Sequence, residues 1–107
     1  LEEPKEAIEV RLPIDASDFS VYGDQVLAGL KVWVEAKKDK GLSLVEPNYE
    51  GVRINFDLPE VKGWCLLRKS LHDPIMPLNV EVTEGKCETI LQIMAAFLDG
   101  YTGIGEI

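Results

Sequence analysis

Between Leu42 and Val82 four short strand-like runs follow one another with no helical stretch between them, and that succession limits the fold more than any other feature. Leu42 to Val45 ends in Glu46-Pro47-Asn48-Tyr49-Glu50-Gly51, a segment punctuated as a turn by its Pro, Asn and Gly. Val52, Ile54 and Phe56 then alternate with Arg53, Asn55 and Asp57, the period of a strand with one buried face. Pro59 and Gly63 mark the next reversal. Trp64 to Leu67 is apolar on both faces, the pattern of a strand packed on each side. Met76, Leu78, Val80 and Val82 alternate again, with Pro77, Asn79, Glu81 and Thr83 between them. Strands joined by links this short pair antiparallel, because a parallel pair needs a crossover of a dozen residues or more.

The flanks supply the helices. Ile8, Val10, Leu12 and Ile14 alternate with Glu9, Arg11 and Pro13, and Pro13 marks a sheet edge or a last rung because it has no amide hydrogen. From about Tyr22 to Lys40 the period becomes helical, with Val26, Leu27, Leu30, Trp33 and Val34 on one face. Gly23 and Asp24 are read as its start, and Lys37, Lys38, Lys40 and Gly41 as its end. Thr83 is read as the cap of a second helix whose apolar face is Cys87, Ile90, Leu91, Met94, Phe97 and Leu98. Tyr101 to Ile107 is Gly-rich and aperiodic, and is expected to fray. The order strand, helix, four strands, helix predicts an α+β domain: a four- or five-stranded, mainly antiparallel sheet with both helices on one face. Its expected core contains Val10, Val26, Leu30, Trp33, Ile54, Phe56, Leu66, Val80, Ile90, Met94 and Phe97.

At 107 residues the chain is sized for a single domain. It carries 19 acidic against 11 basic side chains, a net charge of −8, so long-range repulsion argues against nucleic acid or an anionic membrane surface as partners. No apolar run is long enough to span a bilayer. Leu1-Glu2-Glu3 is acidic where a signal peptide would be basic, and with no initial Met the chain reads as a piece of a longer protein. Two cysteines without a framework spacing read as buried thiols in a reducing compartment, and hence cytoplasmic. With one His and no Cys-x-x-Cys, zinc is not expected.

Against that acidic background the loop after Leu67 inverts the sign. Arg68, Lys69, Ser70 and His72, the only imidazole, fall within five residues. An Arg offers a planar fork of donors matched to two oxygens of a phosphate, Ser adds a hydroxyl, and turn amides can form a nest for a third oxygen. Screening beyond about 8–10 Å at physiological salt lets these local donors outweigh the distant acidic field. The plainer reading is a solvated polar connection between two strands.

Val52-Arg53-Ile54-Asn55-Phe56, Gly63-Trp64-Cys65-Leu66-Leu67-Arg68, Ser70, Pro74 and Val80-Glu81-Val82 together resemble the C-terminal (fourth) domain of the α-D-phosphohexomutases, the family of phosphoglucomutase, phosphomannomutase and phosphoglucosamine mutase. The resemblance covers most of the chain. It implies a TATA-binding-protein-like sheet with two helices and a phosphate-binding loop of the form Arg-x-Ser-(Gly/Asn)-Thr-x-Pro. Arg68, Ser70 and Pro74 keep that form. Leu71 stands where Gly or Asn is usual, His72 in place of Thr, Asp73 where Glu is common, and Pro77 where many members have a second Arg. His72 can offer a ring N–H in place of the hydroxyl.

Two functional classes follow. The resemblance implies a domain that binds the non-reacting phosphate of a hexose phosphate through Arg68, Ser70, His72 and Lys69 while other domains of a parent mutase transfer the phosphoryl group. It places the phosphoserine and the Mg²⁺ ligands in those other domains, so the domain alone is expected to be inactive and without a cofactor. The second class is a non-catalytic α+β module that binds a ligand or a protein partner through a sheet face or edge. Asn48 and Tyr49 are read as local turn residues in either case.

Overall fold

In the computed structural model, which describes residues 3–46, 51–105 and 107, the chain runs β1 (Glu6–Pro13), α1 (Phe19–Glu35), β2 (Leu42–Leu44), β3 (Gly51–Asp57), β4 (Lys62–Arg68), β5 (Ile75–Glu84) and α2 (Cys87–Leu98). One 3-10 turn, Lys38–Lys40, links α1 to β2, and Gly41 follows it in the left-handed conformation with φ 91°. Every strand pair is antiparallel, in the order β1-β5-β4-β3-β2. Successive strands from β2 to β5 are neighbours because their links are short. β1 lies at the far edge beside β5, with Pro13 as its last residue.

The register gives the sheet one packed face. Leu12 pairs with Met76, Val10 with Leu78, and Ile8 with Val80; Val80 also pairs with Cys65, which pairs with Ile54, which pairs with Leu44. Val26, Leu30 and Val34 of α1 and Ile90, Met94, Phe97 and Leu98 of α2 join Leu12, Met76, Leu78, Val80, Cys65 and Ile54 in a single core, with Val10 and Leu44 packed against it and Ile8 exposed at the sheet edge. The two helices therefore share that face, and they meet where the Trp33 and Phe97 rings lie 5.3 Å apart. A Leu or Ile buried this way contributes about 1.5–3 kcal/mol relative to exposure.

Several local expectations are corrected. α1 begins at Phe19, four residues before Gly23, because the Asp18 carboxylate accepts from the Val21 amide at 3.1 Å and supplies the cap. Thr83 remains in β5; the first amide of α2, on Cys87, instead donates to Glu6 Oε1 of β1 at 2.8 Å. Leu66 is 9% exposed but lies outside the main core, since β4 alternation turns it to the face without helices. Val10 and Trp33 are half-buried rather than central. The segment after α2 is docked, not frayed. The Asp15 amide donates to Gly103 O at 2.7 Å, the Gly105 amide to Pro13 O at 2.9 Å, and the Gly103 amide to Tyr22 Oη at 2.9 Å. These backbone bonds carry no side-chain periodicity, so no sequence pattern announces them. Asn48 and Tyr49 lie outside the described residues. Among the described residues no helix is long and apolar enough to cross a membrane.

Candidate anion-binding loop

Residues 69–74 connect β4 to β5 at the end of the sheet. The turn is folded around Ser70. Its amide donates to Ile75 O at 3.3 Å, and its hydroxyl oxygen accepts from the Asp73 amide at 3.4 Å. The Ile75 amide donates to Asp73 O at 2.8 Å, and Pro74 O accepts from the Ile14 amide at 2.7 Å, which ties the outgoing limb to the end of β1. Leu71 is 88% exposed at the tip, and His72, Asp73 and Pro74 are exposed beside it.

Arg68 and Lys69 leave the strand in opposite directions. Trp64, Leu66 and Arg68 alternate onto the open face of the sheet, where Arg68 lies across from Gly51. Lys69 turns to the helical side. Its Nζ lies 2.7 Å from Asp24 Oδ1, 3.0 Å from Ser20 Oγ and 3.4 Å from Ser20 O, all on the first two turns of α1. The four residues singled out from sequence are thus not one cluster. Arg68, Ser70 and His72 border the turn, and the Lys69 ammonium is committed elsewhere.

Arg68 shares the open face with charged groups of β1. Glu9 of β1 is the nearby carboxylate, and both its oxygens are in use: Oε1 accepts from Arg11 Nε at 3.0 Å, Oε2 from Asn79 Nδ2 at 3.2 Å. These bonds, with a smaller contribution from the Arg68 charge, hold the Glu9 carboxyl below its ordinary range. Among the described residues the Arg68 side chain makes no hydrogen bond or ion pair, although it is half-buried. Beside it, the Arg53 guanidinium sits 3.9 Å from the centre of the Trp64 ring, a cation–π stack that occupies a second arginine of this face.

A depression of about 480 Å³ lies beyond α2 among Leu98, Asp99, Tyr101, Thr102 and Ile104. Its described lining includes an acidic side chain and no cation, so it does not suit an anion. Among the described residues no three His, Cys, Asp or Glu side chains gather as a metal site. The sequence reading missed Asp24 and Ser20 as partners of Lys69 and Glu9 as the neighbour of Arg68. Spacing offers no signal for either, because 49 residues separate Ser20 from Lys69.

Fold and loop together define a class: an α+β domain, one sheet face covered by two helices, with a half-buried arginine at the mouth of a hydroxyl-bearing turn. No protein-family model matches the chain, and no curated protein matches it.

Proposed function

We propose that this chain is the phosphate-binding domain of a phosphohexomutase of the phosphoglucomutase or phosphomannomutase type, where it holds the non-reacting phosphate of a hexose phosphate during 1,6-phosphoryl transfer. The observation that carries the reading is Arg68: a half-buried guanidinium that makes no hydrogen bond or ion pair among the described residues, beside a turn built on Ser70. Its fork of donors is therefore available to a phosphate. The agreement of element order with the fourth mutase domain adds support.

In this reading Arg68 donates two N–H groups to two phosphate oxygens, Ser70 offers its hydroxyl hydrogen, and His72 donates from the exposed limb. The turn orients the sugar, so that the reacting oxygen faces a phosphoserine carried by another domain; the rate gain is positional. The Mg²⁺ of the parent is held by other domains, and this chain has no part in holding it. Closure of the domain over substrate would set the final geometry. The two free, buried cysteines fit a reducing cytoplasm.

The test is a titration of the chain with a hexose phosphate and with inorganic phosphate, for the unsubstituted protein and for Arg68→Ala. Binding that Arg68→Ala removes supports the reading; equal binding by both proteins defeats it. A second reading, a protein-interaction module, is favoured by the helix-free sheet face, where Trp64 and Leu66 form an apolar centre. The parent reading frame separates the two, since a mutase requires an upstream serine loop and an acidic metal segment.

A further inference from the structure

Lys69 and α1 form a device that the anion reading does not itself require. The Lys69 ammonium reaches Asp24 at 2.7 Å and the Ser20 hydroxyl at 3.0 Å, and its carbonyl contact with Ser20 brings it to the first turn of the helix. Its stem crosses α1 directly over Gly23: a Cβ there would stand 2.8 Å from Lys69 Cδ and 2.9 Å from Cγ. Gly23 is a buried helical residue. Glycine inside a helix is unfavourable relative to alanine, so its presence under a crossing side chain has a packing reason. The Lys69 side chain is only 27% exposed, unlike a solvated loop lysine.

We propose that Lys69 is a positioning residue: anchored across Gly23 to Ser20 and Asp24, it fixes the start of the 69–74 turn so that Arg68 faces the open side of the sheet and Ser70 presents its hydroxyl to a bound phosphoryl group. The proposal rests on the phosphate-binding reading for its ligand, but the anchor itself does not. Backbone direction links the two residues. Adjacent side chains on an extended chain project to opposite sides, so pinning Lys69 against α1 holds Arg68 on the other face. The other limb of the turn is tied at Pro74 O, and Lys69 supplies the matching tie on the β4 side.

The test uses the 107-residue chain with three changes: Lys69→Met, which keeps the stem and removes the charge; Gly23→Ala, which leaves every charge in place and obstructs the stem; and the exchange Lys69→Asp with Asp24→Lys. Backbone amide hydrogen exchange at Ser70 and Ile75 reads the turn without any ligand, and titration with inorganic phosphate reads its consequence. Lys69→Met and Gly23→Ala should each speed exchange at both amides and weaken phosphate binding about three- to fivefold, the scale of one partly exposed ion pair. Gly23→Ala should do so without lowering the unfolding midpoint, since alanine favours the helix. The charge exchange should recover most of both effects, which a direct lysine–phosphate contact would not allow. Unchanged exchange in Lys69→Met, or faster exchange with unchanged phosphate affinity, overturns the positioning role. Absence of phosphate binding by the unsubstituted chain overturns the ligand reading and the role built on it, while the exchange data still report whether the anchor exists.

Discussion

At the scale of single residues, neighbouring cations in one loop have separate tasks. Among the described residues Arg68 makes no hydrogen bond or ion pair, while Glu9 accepts from Arg11 and Asn79, whereas Lys69 is held by α1. Arg68→Ala should therefore reduce hexose-phosphate affinity by about 1.5–3 kcal/mol, the value of a charge-assisted contact, with little change in the unfolding midpoint. Calorimetric titration alongside thermal unfolding checks both halves of that expectation. Ser70→Ala should be milder for binding, about 0.5–1.5 kcal/mol. It also removes the acceptor for the Asp73 amide, so exchange at Asp73 should quicken even without ligand.

At the scale of elements, each helix is started by a carboxylate. Asp18 caps α1 from the adjacent residue, and Glu6 of β1 reaches across to the first amide of α2. The second arrangement joins the sheet edge to a helix 81 residues later. Asp18→Ala and Glu6→Ala should each lower stability by about 1 kcal/mol. Denaturant midpoints measure that loss. The two are distinguished by where exchange accelerates: at Val21 for the first, at Cys87 for the second. Loss at Glu6 should also loosen β1, because the same side chain ties both elements.

At the scale of the whole molecule, the core is continuous across both helices and the covered face of the sheet. Leu78 is fully buried and pairs with Val10 on one side and Leu67 on the other. Leu78→Ala should cost about 2–5 kcal/mol, read from chemical denaturation. The same burial governs the cysteines. Burial raises the Cys65 thiol well above its ordinary range; Cys87 is raised by burial and then by the charges of Glu6 and Glu81. In the unfolded chain both thiols ionise near pH 8.5, as unperturbed cysteines do, while the folded chain keeps its protons. Above that pH the unfolded state binds fewer protons, so stability should fall as pH rises and be unaffected by these groups below it. Unfolding midpoints between pH 7 and 10 check this, and the double variant Cys65→Ala, Cys87→Ala should flatten the decline. Neither thiol should react with iodoacetamide while the chain is folded.

The sequence by itself determined the element order, the antiparallel pairing of β2 through β5 and the apolar faces that meet in the core. Those are matters of local period and link length: Val52, Ile54 and Phe56 can share a face only as a strand, and a link such as 58–61 can return only to the adjacent position. The loop's donors were legible for the same reason, being consecutive. Tertiary structure alone decided which of those donors is free. Whether Lys69 is a ligand or an anchor depends on Ser20, Gly23 and Asp24, and whether Arg68 is paired depends on Glu9, which β5 and the β1 edge bring alongside. It likewise decided that β1 closes the sheet beside β5, that Glu6 rather than Thr83 starts α2, and that the segment around Gly103 is held down. Each of these is a contact between residues far apart in the chain, made by backbone amides or single side chains. Such contacts leave no periodic trace, and only the folded geometry selects among the many partners the sequence would permit.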